Sequence, residues 1–317
     1  MRPIPTANDI QLAHERIFPY IHNTPILTSE FINNLTGAHL FFKCENFQKT
    51  GSFKMRGASN AIFSVNSKKR INGFATHSSG NHAQAVSYVC KTAGVGAYII
   101  MPKNAPKVKV DAVKYYGGQI LFCEPNERAR QEACAKIIQQ TNALFIPPFD
   151  DIKIITGQAT CAKELIDADI GLDYLLTPVG GGGLASGTAL SVKHFSPKTE
   201  VILGEPENVN DTYLSLEAGK IIPVTKTNTI ADGLKTTVGK LNFEIIQKYV
   251  REVIPVSEKE ISYAMRMIWE RMKIIIEPSC ATPLAAVLTP EFKKLENIET
   301  IGIILTGGNV DLSKLPF

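Results

Sequence analysis

The chain has 317 residues, 44% of them hydrophobic and 20% charged, and a formal net charge of +4 from 34 basic and 30 acidic side chains. This composition excludes a disordered chain, and charges of both signs along the whole length leave no basic stripe for nucleic acid. No apolar run reaches the ~18 residues of a membrane span. The start at Met1-Arg2-Pro3-Ile4 has no apolar core of secretion-signal length. The six cysteines (Cys44, Cys90, Cys123, Cys134, Cys161, Cys280) contain no CxxC pair, so a reduced, cytoplasmic protein is expected.

In chain order, short apolar runs predict strands at His39–Lys43, Gly73–His77, Ala97–Met101, Gln119–Cys123, Asp173–Val179, Val201–Gly204 and Ile301–Leu305. Amphipathic stretches predict helices at Asn81–Ala93, Pro106–Tyr116, Glu127–Gln140 and Leu184–His194. The alternation argues for parallel βαβ units in an α/β fold. Residues 73–149 form a self-contained run ending in Pro147-Pro148-Phe149-Asp150-Asp151, where prolines interrupt helix and ladder alike. The expected division is a small domain at 73–150 inserted into a large one made of 1–72 and 151–317. Open α/β sheets bind ligands at the carboxyl ends of their strands, so the chemistry is expected in the cleft between the two.

The first motif in that cleft is Ser52-Phe53-Lys54-Met55-Arg56-Gly57-Ala58, which opens a helix after a probable strand. A lysine there can form a Schiff base if its surroundings keep it partly deprotonated. Alone, it reads more readily as a solvated lysine at a helix start; the three other glycine-rich motifs change that.

Thr76-His77-Ser78-Ser79-Gly80-Asn81-His82 again joins strand to helix. Its hydroxyl and amide groups suit a carboxylate and a phenolic oxygen, which makes Ser78, Ser79, Asn81 and His82 substrate-binding candidates. Ser79 or Asn81 could equally cap the helix, and the histidines have no further ligand at metal-binding spacing.

Thr177-Pro178-Val179-Gly180-Gly181-Gly182-Gly183-Leu184-Ala185 runs from strand to helix with four consecutive glycines. Converging backbone N–H groups and the positive end of a helix make an anion cradle, fit for a phosphate. It has no Lys-Ser/Thr of a nucleotide-triphosphate loop. Gly180-x-Gly182-x-x-Ala185, with Glu200 or Glu205 about twenty residues on, also loosely fits a dinucleotide turn, so a nicotinamide-dependent oxidoreductase is the alternative. Near the end, Ile303-Ile304-Leu305-Thr306-Gly307-Gly308-Asn309 closes a buried strand on a hydroxyl that could meet a ring nitrogen.

Together, in this order and over nearly the whole chain, these motifs resemble the fold-type II pyridoxal-phosphate enzymes: serine/threonine ammonia-lyases (dehydratases) and serine racemases. The resemblance implies a tryptophan-synthase-β-like fold, two open parallel-sheet domains with the cofactor in the cleft. It implies that Lys54 holds the cofactor as a Schiff base and that Phe53 packs on its ring. Asn81 would meet the phenolic oxygen, Gly180, Gly181, Gly182 and Gly183 the phosphate, and Thr306 the ring nitrogen, where relatives usually have Ser or Cys. Lys54 would be the general base at the substrate Cα, the cofactor the electron sink, and the products a keto acid and ammonia.

Phe122-Cys123-Glu124-Pro125 with Arg130 resembles serine racemases and hydroxyaspartate ammonia-lyases, and makes Arg130 a candidate for a second substrate carboxylate. Pro147-Pro148-Phe149-Asp150-Asp151 looks more like threonine ammonia-lyases. Ser79 matches the racemase's second acid/base, acting on the face of the substrate opposite Lys54. Glu205, the Val209 carbonyl and Asp211, in an acidic stretch after a strand, match the ligands of Mg²⁺, Ca²⁺ or Mn²⁺, where a solvated loop is the plain alternative. Lys49, Thr50, Gln84, Lys273 and Asn309 match an ATP effector site at a subunit interface, in what is expected to be a homodimer. The chain stops soon after Asn309, so a C-terminal regulatory domain and isoleucine feedback are not expected.

Overall fold

In the computed structural model, which describes residues 4–65, 72–78 and 80–317, the described residues form ten strands in two sheets. They are β1 (Ile26–Leu27), β2 (His39–Cys44), β3 (Gly73–His77), β4 (Gly96–Pro102), β5 (Gln119–Cys123), β6 (Leu144–Phe145), β7 (Tyr174–Pro178), β8 (Glu200–Pro206), β9 (Glu252–Val256) and β10 (Thr300–Leu305). The larger sheet runs β1-β2-β10-β7-β8-β9 and the smaller β5-β4-β3-β6. Every pairing is parallel except β1 with β2. β7 is buried at all five positions and β10 at all but its first, the continuous apolar run that a strand covered on both faces needs.

Topology explains where ligands can go. In the larger sheet β10, last in sequence, sits between β2 and β7. In the smaller, the chain steps from β3 to β4 to β5 and then returns to the other side of β3 as β6. Such reversals leave a crevice beyond the carboxyl ends of the strands. Residues 45–54 follow β2, 78–81 follow β3, 179–183 follow β7 and 306–309 follow β10, so the four motifs all emerge at such ends.

The helix bearing the lysine motif, Lys54–Phe63, joins the two halves. Its Met55, Ala58, Ala61 and Ile62 share one apolar cluster with Phe74, Val86 and Ile99 of the smaller sheet's layer and with Ile154 from the helix Ile152–Ile166. Beneath it lies an ionic cluster. Arg56, fully buried, donates from Nε and Nη2 to Glu45 (both 2.8 Å) and from Nη1 and Nη2 to Glu164 (both 2.7 Å). Lys43 Nζ completes it at 2.7 Å from Glu164. Burial pushes the Glu164 carboxyl up, but Arg56 and Lys43 more than offset that and hold it below the usual range.

Candidate active site

Lys54 opens its helix directly after Phe53. Its Nζ donates to the Pro148 carbonyl at 2.8 Å and lies 5.1 Å from the centre of the Phe53 ring. Burial, only partly countered by the Glu277 carboxylate, pushes the ammonium down to about 8. A lysine of that basicity has a substantial neutral fraction near neutral pH, the form a nucleophile or base needs. The solvated-lysine alternative is overturned by this setting.

The loop at 180–183 is walled in. A β-carbon at Gly180 would lie 2.9 Å from Leu234 Cα, at Gly181 2.3 Å from the Phe149 ring, and at Gly182 2.7 Å from Asn242 Cβ. Gly182 also has φ +86°, a left-handed conformation that favours glycine. It precedes the helix Gly183–Phe195, whose first N–H groups lack partners within the helix. A close-packed glycine loop ending in free N–H groups fits a phosphate group. The oxidoreductase alternative fares worse: Glu200 is engaged with Arg251 on the surface, and Glu205 is fully buried.

Asn81 begins the helix Asn81–Ala93 with no side-chain cap at its start. Its Nδ2 instead donates to both oxygens of Glu277, at 2.8 and 3.1 Å, and its Oδ1 accepts from Asn309 Nδ2 at 2.8 Å. Asn309 Nδ2 also donates to the Thr50 carbonyl at 2.7 Å. Thr306, buried, accepts at its carbonyl from Phe53 N–H at 3.0 Å, and Ser52 bridges Gly307. Lys54, Phe53, Asn81, the glycine loop and Thr306 therefore converge through direct contacts or through Pro148-Phe149.

Glu277 is the residue that the sequence reading missed. It precedes the helix Pro278–Leu288, its N–H donates to the Gly307 carbonyl at 3.0 Å, and its carboxyl is pushed up to about 7. Burial is the main cause and Asp232 adds to it, against the Asn81 hydrogen bond and Lys109. The one signal was an acid closing the apolar run Ile274-Ile275-Ile276.

Of the other candidates, Ser79 lies outside the described residues. Ser78 Oγ accepts from Gly80 N–H at 3.3 Å. His82 Nε2 is 3.3 Å from the Ile146 carbonyl, which can only accept, so its buried Nδ1 carries the lone pair and has no partner among the described residues. Burial, with the Lys54 charge, lowers this imidazole to about 3, so it is neutral. Arg130 stands in the first turn of the helix Glu127–Thr141 beyond the end of β5, and its Nε is buried without an acceptor among the described residues.

Glu205 and Asp211 are both buried. Glu205 accepts from the N–H groups of Thr212 (3.0 Å) and Tyr213 (2.9 Å), and Asp211 Oδ2 from Val238 N–H (2.8 Å). Burial raises both, Glu205 to about 8 and Asp211 to about 6. The solvated-loop alternative is thereby overturned. Among the described residues no cluster of three or more His, Cys, Asp or Glu side chains surrounds a metal position. Asp211 Oδ1 is nonetheless a buried acceptor with no partner among the described residues, an open oxygen of the kind a hard cation takes.

This convergence defines a pyridoxal-phosphate enzyme, and comparison with known proteins agrees. The family model "Pyridoxal-phosphate dependent enzyme" matches residues 17–307, and the chain belongs to that family. It is 51% identical over 312 residues to the serine racemase of Dictyostelium discoideum, covering 98% of this chain and 96% of that one. It is 47% identical over 315 residues to the beta-hydroxyaspartate dehydratase of Paracoccus denitrificans (strain Pd 1222), covering 99% of both. The crystal structure of the T.th. threonine deaminase superimposes with a TM-score of 0.92 at 38% identity, over 98% of this chain and 100% of that one. No helix among the described residues is long and apolar enough to cross a membrane.

Proposed function

We propose that the chain deaminates L-serine and L-threonine to pyruvate and 2-oxobutanoate with release of ammonia, and interconverts the serine enantiomers. The observation that carries this reading is the meeting of a weakly basic, half-buried Lys54 with the glycine cradle through the Pro148-Phe149 linker. When bound, pyridoxal phosphate supplies an amine-capturing carbonyl and an electron sink that acidifies the substrate Cα–H. Lys54 would hold the cofactor and would serve as the general base that takes the substrate Cα proton. Phe53 would pack against the ring, Asn81 would bind its phenolic oxygen, and Thr306 would offer a hydroxyl to its nitrogen. Ser78 and Asn81 would receive the substrate carboxylate; the neutral His82, whose Nδ1 lone pair can only accept, would meet it through its backbone N–H alone. Ser79 would return a proton to the opposite face, which racemisation requires. Residues 73–150 act as the small domain, closing on the large one (1–72 and 151–317).

Purified protein should be yellow, and borohydride should fix the cofactor on the peptide containing Lys54. Lys54→Ala should lower turnover at least ~10³-fold with the fold retained; a colourless, active chain would refute the assignment. Ser79→Ala should abolish D-serine formation while keeping much of the deamination. Equal loss of both activities would make Ser79 a binding residue only.

A second reading, 3-hydroxyaspartate deamination, is favoured by the unpaired, buried Arg130 Nε and by the name of the Paracoccus relative. It requires dicarboxylates such as malonate to inhibit, and Arg130→Ala to relieve that inhibition.

The proposal extends to Mg²⁺, Ca²⁺ or Mn²⁺ held by Glu205, Asp211 and the Val209 carbonyl, and to a cytoplasmic homodimer, in keeping with six free, buried cysteines. It also extends to ATP as an effector at Lys49, Thr50, Gln84, Lys273 and Asn309, supported by the Asn309 side chain that ties Thr50 to Asn81. Sedimentation and nucleotide titration test these last two points.

A further inference from the structure

The carbonyl of Gly181 accepts two hydrogen bonds, from Gly239 N–H at 3.1 Å and from the side-chain amide of Asn242 at 2.7 Å. A trans peptide points its C=O and N–H in opposite directions. Fixing the Gly181 carbonyl toward 239–242 therefore fixes the Gly182 N–H on the opposite side, and Gly182 precedes the helix Gly183–Phe195. The glycines themselves have no side chain to hold this orientation, and glycine backbone is the most permissive of all. The orientation has to be imposed from outside.

Asn242 is placed to impose it. It is fully buried in the first turn of the helix Lys240–Tyr249. The Asp150 carboxylate accepts from the Lys240 and Leu241 N–H groups at 3.2 and 2.9 Å, which anchors that turn. Asn242 Nδ2 also lies 3.4 Å from the Phe149 carbonyl, which fixes the amide's orientation, because a flip would set its oxygen against two carbonyls. The same linker carries the Pro148 carbonyl that receives Lys54 Nζ, and its Phe149 ring packs on Gly181. Both anchors of the cofactor thus rest on residues 148–150, and Asn242 is the side chain that ties the glycine loop to them.

We propose that Asn242 is a positioning residue for the cofactor phosphate: its amide holds the Gly181 carbonyl so that the Gly182 N–H faces the anion at a fixed distance from Lys54. This rests on the reading of 180–183 as the phosphate cradle.

The test compares pyridoxal phosphate with pyridoxal, which has no phosphate, as ligands of the cofactor-free protein, with inorganic phosphate as competitor. Asn242→Asp keeps the shape but replaces the donor by an acceptor facing two carbonyls. It should weaken pyridoxal phosphate and inorganic phosphate at least ~10-fold and leave pyridoxal within ~2-fold, the loss expected for one buried hydrogen bond. Asn242→Ser, which retains a donor, should fall between; it serves alone if the aspartate variant does not fold. A purely structural role would weaken both aldehydes alike. If either variant keeps the wild-type preference for the phosphorylated ligand, the inference is wrong. If the wild-type chain itself shows no such preference, the cradle reading fails first.

Discussion

Two buried charge clusters flank the site and are completed in opposite ways. Arg56, Lys43, Glu45 and Glu164 bring two positive and two negative side chains together, and the guanidinium meets both carboxylates with paired hydrogen bonds. Thr24 Oγ1 adds a 2.6 Å hydrogen bond to Glu45. Glu205 and Asp211, by contrast, accept from backbone N–H groups, and each acid is raised rather than lowered. Burial is the same force in both clusters. The sign of the net shift at a carboxylate is decided by whether a cation is supplied by the chain. A cluster that the chain neutralises itself is scaffold; one left acidic is suited to binding an outside cation.

The comparison breaks most readily at Arg56. Arg56→Met leaves Glu45 and Glu164 buried with only Lys43 between them, and should cost ~3–5 kcal/mol, the usual result of removing one partner from a buried pair. Urea unfolding of the cofactor-loaded enzyme measures it. A loss under ~1 kcal/mol would mean that water or relaxation screens the cluster, and its contrast with the acid pair would vanish.

Glu277 tests the same rule inside the site, where its neighbours are Asn81, Asp232, Lys109 and the Asn309 backbone. Its folded value, about 7, lies above the ordinary value of 4.5. An acid raised in this way favours folding fully below the unfolded value, and the contribution is lost as pH rises through the folded one. Relative to Glu277→Gln, the cofactor-free wild type should therefore lose stability between about pH 4.5 and about pH 7, by at most ~3 kcal/mol, and no further above about pH 8. A constant difference across that window would show that the carboxyl is not desolvated.

Much of this architecture was legible in the sequence. The strands Gly73–His77 and Gln119–Cys123 and the helix Asn81–Ala93 have the bounds that apolar pattern predicts, and other expected elements shift by one or two residues. Three strands were not delimited. Ile26–Leu27 and Leu144–Phe145 are too short to show a period, and Glu252–Val256 contains Pro255, which argues against a strand except at the sheet edge where β9 lies. The glycines and Thr306 were visible because each breaks an apolar run with an unusual residue at a strand end, and Lys54 because an aromatic, a lysine and an arginine crowd one turn at a helix start. Glu277 was not, because its meaning comes from pairing with Asn81 across 196 residues, which no local pattern encodes. Asn242 was silent for the same reason: a lone asparagine at a helix start ordinarily reads as a cap.

The smallest expected effect concerns the acid pair itself. If Glu205, Asp211 and the Val209 carbonyl hold a divalent cation, the cation binds the folded chain alone, because the unfolded chain does not bring these oxygens together. At about ten times its dissociation constant it should then add ~1.4 kcal/mol, a rise in Tm of ~2 °C for a chain of this size. Chelation should reverse the rise, and Mg²⁺ should restore it. Glu205→Gln separates this from a general salt effect. The amide matches the carboxyl in volume and no longer asks a buried site to hold a second negative charge beside Asp211. The amide offers one oxygen to the two N–H groups of Thr212 and Tyr213, so the cation-free variant should melt below the cation-free wild type, yet gain nothing from Mg²⁺. Were the variant to gain as much as the wild type, the cation would bind elsewhere. Were neither to respond, the raised acids would be a buried, protonated pair, and the two clusters would differ only in how each stays neutral.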